Sequence, residues 1–220
     1  MTRDSDDDIE WRIDHPALSG QDGLDLVLAS ASTSRRMILL RAGIFCTVDP
    51  ANIDETEIKE SLKAERATAM QAAETLAELK ARHVARRHPG ALVIGADQIL
   101  DCEGVWFDKP RDRAQAKDHL LALAGKRHTL ETAVCVLRDG TRLWHHNARA
   151  ILRMRNFDAA FIDTYLDAVG DSPLGSVGAY RIEGPGIQFF EQIEGDYFTI
   201  LGLPLLPLLA FLRVHGTVPA

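Results

Sequence analysis

Residues 127–154 read RHTLETAVCVLRDGTRLWHHNARAILRM, two runs of β-prone residues joined at Asp139-Gly140. Asp-Gly readily takes the positive φ angles of a two-residue hairpin turn, so this stretch predicts two long antiparallel strands. A hairpin is not stable alone and must belong to a larger sheet. The pattern changes on either side of it. "LDLVLAS" (24–30) is a short apolar run that reads as a buried strand. "TSRRMILLRAG" after it reads as a helix, N-capped by Thr33 or Ser34 and ended by Gly43. "IFCTVDP" reads as a second strand, so strand, small-residue turn, helix and strand open an α/β unit.

The rest of the chain continues in this way. A long helical segment is predicted from about Lys59 to Arg87, stopped by Pro89-Gly90. "ALVIGADQIL" is a third strand with a Gly-Ala-Asp break inside it, and "KPRDRAQAKDHLLALAGK" a helix with Asp112 near its start. "DAAFIDTYLDAVG" is a helix closed by Gly170; "IQFFEQI" is a strand, and the last helix is interrupted by Pro204 and Pro207. The expected fold is α/β, a mixed twisted β-sheet with flanking helices, and the pattern leaves open a split into two lobes. Residues 1–23 read as an acidic, loosely ordered extension, 24–214 as one domain and 215–220 as a tail.

Composition narrows the function. Among 220 residues, a formal charge of −7 argues against a nucleic-acid polymer as partner, though a small phosphate needs only a local cluster of donors. The N-terminal stretch has no apolar core of a secretory signal, and "LGLPLLPLLAFL" is too short to span a bilayer. Cys46, Cys102 and Cys135 are far apart and form no CxxC, which reads as the thiols of a reducing compartment. A cytoplasmic protein is expected, without a membrane partner. An arginine-rich helix end and an apolar C-terminal helix leave a homodimer interface open beside plain surface and core.

"LASASTSRR" (28–36) carries the first chemical signal. Ser30 and Ser32 can donate hydroxyl hydrogens, the helix start offers unpaired N–H groups, and Arg35 and Arg36 add bidentate anion contacts. A capped helix beside surface arginines reads equally well. "VIGADQ" puts Asp97 after a buried apolar run, where a carboxylate holds a metal or acts as general base, or else closes a turn. Lys109 in "FDKP" is a phosphate ligand or a loop lysine. Asp54, Glu55 and Glu57 in "IDETE" are metal-coordinating carboxylates or a solvated loop. The glycines of "IEGPGIQFFEQIEGDY" allow backbone to approach a flat ligand, or simply turn the chain. The eight histidines show no metal-ligand spacing.

Taken together and in order, "LASASTSRRMILLRAGI", "VIGADQIL", "FDKPRDRAQAKDHLLALAGKRHTLETAV" and "VGAYRIEGPGIQFFEQIEGDYFTILGLPLLPL" closely resemble the Maf family of nucleoside triphosphate pyrophosphatases. The resemblance runs from about Leu26 to Leu212. It implies two lobes around a central cleft, related in architecture to the inosine triphosphatases. It also implies hydrolysis of a nucleoside triphosphate to the monophosphate and pyrophosphate with a divalent metal cation, Mg²⁺ or Mn²⁺. Carried over motif by motif, Ser30 and Arg36 contact the triphosphate with Arg35 beside them, as do Lys80 in "LAELKA" and Lys109. Asp97 is the base that activates water, and Glu55 in "DET" stands near the metal or the water. Asp108 stands where the family's "GKP" block has glycine.

The family divides into a dTTP/UTP branch and a branch resembling 7-methyl-GTP pyrophosphatase. Of the three discriminating positions, Gln98 and Glu183 match the 7-methyl-GTP branch and Ser34 matches neither. A carboxylate at 183 suits a methylated guanine, which is positively charged and bears N–H donors. Two other functions stay open: broad house-cleaning of non-standard nucleotides, and a non-catalytic role in septum formation, from which the family takes its name.

Overall fold

The computed structural model describes residues 25–219; the acidic stretch read above as an extension lies outside the described residues. Strands β1 (Leu26–Leu28), β2 (Thr47–Val48), β3 (Leu92–Cys102), β4 (Val105–Phe107), β5 (Arg127–Arg138), β6 (Thr141–Met154) and β7 (Phe190–Glu194) form one sheet. Its order is β2-β1-β3-β5-β6-β7, with β4 also paired to β3. β1 is parallel to β2 and β3, and every other pairing is antiparallel. The mixed sheet matches the sequence expectation. The β5–β6 turn has Asp139 at φ 49° and Gly140 at φ 77°, the two positive angles its Asp-Gly sequence favours.

Strand periodicity sorts the core. Leu26, Leu28, Leu92, Ile94, Val134 and Val136 share one face, covered by α1 (Thr33–Arg41) and the last helix, α7 (Leu205–Val214). Val27, Val93, Ala133, Cys135 and Leu137 lie on the other, under α3 (Ala69–Ala85). A third cluster joins Leu100, Leu130 and Leu152 to α4 (Arg113–Leu123), α5 (Ala159–Val169) and, through Ile200, the short α6 (Tyr197–Ile200) at the far end of the sheet. Among the described residues no helix is long and apolar enough to cross a membrane.

Four local readings differ from expectation. The segment 59–87 is not one helix: α2 (Glu55–Ala64) ends and α3 begins anew. Arg66 takes a left-handed φ of 59°, and Thr68 and Gln71 form a capping box that starts α3. β3 runs unbroken through Gly95-Ala96-Asp97, because Gly95 is a packing residue. A Cβ there would lie 2.1 Å from the Ala77 carbonyl oxygen of α3. Pro185–Phe189 is a 3₁₀ turn, so β7 starts only at Phe190. Pro207 does not interrupt α7, since it lies in the first turn, where its missing N–H has no helical partner to lose.

Candidate active site

The site starts where β1 ends. β1 pairs with β3 only up to Ile94, and β4 pairs with β3 only from Leu100. Between them, β3 is bonded to β5 on one side and has no strand among the described residues on the other. A cleft of about 550 Å³ opens along this vacated edge. Asp97 therefore stands mid-strand rather than after the strand, yet just beyond the carboxyl end of the parallel part of the sheet. Asp97 and Gln98 point to opposite faces of β3, and both reach the cleft because it wraps around the edge.

The hydroxyls of "LASASTSRR" first build the turn. Ser32, rather than Thr33 or Ser34, caps α1 by accepting from the Arg35 N–H at 3.3 Å. Ser30 Oγ accepts from Ser32 N at 3.2 Å and from Arg35 Nη1 at 3.1 Å, which leaves its own O–H to donate elsewhere. The Arg35 guanidinium also donates to Gly202 O at 2.8 Å and Ala96 O at 2.9 Å. The Ala96 carbonyl belongs to the vacated edge, so Arg35 stands in for the missing strand. Among the described residues these hydrogen bonds go to neutral oxygens, so none of them cancels its charge on contact. Burial pulls its pKa below the usual arginine value, opposed by the fields of Asp97 and Glu55. Arg36 is half-buried and is not among the residues that line the cleft.

On the α3 side, Lys80 Nζ lies 2.5 Å from Asp97 Oδ1 and 2.8 Å from Glu55 Oε1. Lys80 and Asp97 are 7% and 5% exposed. The second Asp97 oxygen, Oδ2, is buried with no hydrogen-bond partner among the described residues. Asp54 caps α2 through Thr56 N and Glu57 N, which turns Glu55 toward the cleft; Glu57 is exposed and lies outside it. Burial raises the Glu55 carboxyl, but the charge and hydrogen bond of Lys80 outweigh it and hold its pKa below the ordinary value. Lys109 keeps solvent contact, yet crowding of its ammonium by protein atoms, then the charge of Arg35, lowers its pKa.

On the opposite face, Gln98 Nε2 meets three oxygens: Thr132 Oγ1 and Thr199 O at 2.8 Å, and Ile200 O at 3.3 Å. Those acceptors identify the nitrogen and leave Oε1 as the atom Gln98 can offer to a ligand. At the rim, Arg181 donates to Glu183 Oε1 at 2.9 Å and approaches Ser34 Oγ at 3.5 Å. Three candidate specificity residues thus line one cleft.

Every sequence candidate except Arg36, Asp54 and Glu57 is brought together here. The structure adds Lys59, Arg111 and Arg181, which the sequence reading did not single out. Lys59 had a legible signal: it follows Glu55 by four residues, the same face of a helix once the helix is seen to start at Glu55. Six cationic and four anionic side chains line the cleft, a local positive balance in a chain of net charge −7. Such a site can take an anion of several charges. The orphaned Asp97 Oδ2 with Glu55 beside it fits a water or a divalent cation. No group of three or more His, Cys, Asp or Glu suited to a metal occurs among the described residues, so a cation would need ligand oxygens as well.

The architecture and site define a class, an α/β protein with a cationic nucleotide-sized cleft at a sheet edge. Residues 25–215 match the family model described as "Maf-like protein", and the chain belongs to the Maf family. It is 57% identical over 190 residues to a protein of Paramagnetospirillum magneticum named nucleoside triphosphate pyrophosphatase, covering 86% of this chain and 98% of the relative. It is 50% identical over 188 residues to a protein of Brucella abortus named 7-methyl-GTP pyrophosphatase, covering 86% and 94%. A Rhizobium etli protein with that same name is 48% identical over 193 residues, covering 88% and 97%.

Proposed function

We propose that this protein hydrolyses a nucleoside triphosphate, preferentially 7-methyl-GTP, to the monophosphate and pyrophosphate. The observation that carries the reading is Asp97: a buried carboxylate with one oxygen held by Lys80 and the other unpartnered, on the wall of a cationic cleft. Lys80 fixes Oδ1, so Oδ2 is the atom that accepts a proton from the attacking water. Arg35, Lys80, Lys109 and the Ser30 hydroxyl bind the phosphates and offset their charge as it builds up on the leaving pyrophosphate. Arg35 rather than Arg36 has the place for this. Asp97 and Glu55 would hold a divalent cation, Mg²⁺ or Mn²⁺, which when bound supplies Lewis-acid stabilisation to phosphate oxygens.

Base preference follows from what the rim leaves unused. Gln98 Oε1 and Glu183 Oε2 are both acceptors, and a guanine edge has adjacent N–H donors, whereas thymine and uracil have one. The relatives named 7-methyl-GTP pyrophosphatase support the same choice. One observation favours a broader substrate range. Arg181 already pairs with Glu183 and reduces its pull on a positively charged base, while Ser34 leaves room at the rim.

Pyrophosphate release from 7-methyl-GTP, GTP, dTTP, UTP, CTP and ITP, by the protein and by Glu183→Gln, tests the proposal. Selective turnover of 7-methyl-GTP is expected, with selectivity falling about tenfold in the variant. Equal or better turnover of dTTP would discard the guanine preference for the broad reading. No turnover of any of them by the folded protein would leave a binding role.

A further inference from the structure

We propose that Lys59 is an additional phosphate-binding residue of this cleft and that Asp108 is its resident competitor, holding in the ligand-free protein the ammonium that a substrate phosphate takes over. The inference rests on the triphosphate reading above. Lys59 Nζ and Asp108 Oδ1 are 2.5 Å apart, and both residues line the cleft. They come from different walls: Lys59 from α2, one turn after Glu55, and Asp108 from the link between β4 and α4, next to Lys109.

The pair is asymmetric in a way that defines which partner yields. The Lys59 side chain is 13% exposed and Asp108 59%. The lysine is kept in the cleft by its surroundings, whereas the aspartate can turn out into water and recover its hydration. Burial disfavours the Lys59 ammonium, but the hydrogen bond and charge of Asp108, with the fields of Asp97 and Glu55, more than restore it. A polyphosphate brings more charge than one carboxylate and accepts from an ammonium at least as well. The exchange makes and breaks no covalent bond: the ammonium stays protonated, phosphate replaces carboxylate, and Asp108 goes to solvent. Its consequence is a weakened hold on phosphate at rest and an assisted release of the pyrophosphate product.

Inorganic tripolyphosphate, titrated calorimetrically without metal, isolates the phosphate term from base recognition. Asp108→Asn keeps the shape and removes the charge, and should tighten binding roughly fivefold. Lys59→Met keeps the stem and should weaken binding by a similar factor. In the Lys59→Met background, Asp108→Asn should change affinity less than about twofold. The proposal is overturned if Asp108→Asn has no effect or weakens binding, or if it tightens binding equally with and without Lys59, which would mark a general field effect. Asp108→Ser provides a second charge-free variant should the amide find a new partner. Binding that no variant alters would overturn this inference and spare the triphosphate reading; a wild-type protein that binds no tripolyphosphate would overturn both.

Discussion

Lys80 is the residue on which the buried charges of the site depend. One ammonium reaches Asp97 and Glu55 together, on a helix that sequence pattern placed correctly but with the wrong start. Removing one partner of a buried pair leaves the other charged and unsolvated, a penalty of roughly 3 kcal/mol or more. Lys80→Met should therefore lower stability by about that much in urea unfolding. Adding Asp97→Asn should recover part of the loss, because the stranded charge is then gone; strictly additive losses would show that the two do not interact. Ser30, Asp97 and Lys109 were legible because they sit in short, ordered motifs. Arg181 was not, and Lys59 only through its four-residue spacing from Glu55. Each is an ordinary polar residue in sequence, made part of the site only by a helix start and a rim loop that fold against it.

At the scale of elements, close packing of α3 on β3 sets the distance from Lys80 to Asp97. Small residues at Ala69, Ala72, Ala73, Ala77 and Ala81 bring the helix down onto the sheet, and Gly95 leaves room for the Ala77 carbonyl. Gly95→Ala should cost roughly 1–3 kcal/mol in urea unfolding and reduce turnover, since α3 must move off the strand that carries Asp97. A variant as stable and as active as the parent would contradict this packing account. The hairpin, the alternation of strands and helices and most helix ends could be read from Asp-Gly, capping residues and glycines. The break at 65–68 could not be read from glycine or proline, for neither is present; its one sequence sign was the Thr68–Gln71 box. Gly95 suggested a break because a glycine looks the same in sequence whether it bends a strand or admits a neighbour.

For the molecule as a whole, acid should act first through His128, on β5 at the edge of the third core cluster. It is 1% exposed, hydrogen-bonds Tyr180 Oη at 2.8 Å, and burial lowers its pKa to about 4. A histidine depressed in the folded state contributes stability that is present above its unfolded pKa, near 6.5, and is lost as pH falls through the folded value. Between pH 7 and 4.5 the protein should lose roughly 2–3 kcal/mol of unfolding free energy, and His128→Gln should flatten that slope. An unchanged slope would assign the acid sensitivity elsewhere. Glu55, also depressed, loses its contribution only at lower pH, as it falls through the carboxylate's own folded value. A chain that is acidic in sum thus carries a cationic cleft, which composition alone could not disclose: net charge was in the sequence, the grouping of cations only in the fold.

The central claim is that Asp97 activates water to split a triphosphate into monophosphate and pyrophosphate. The most direct measurement is ³¹P NMR of 7-methyl-GTP incubated with the protein and Mg²⁺, beside Asp97→Asn. The account predicts monophosphate and pyrophosphate in equal amounts, with the rate at least about 10²-fold lower in the variant. Diphosphate and orthophosphate as products, or an Asp97→Asn protein that turns over at the parent rate, would contradict it.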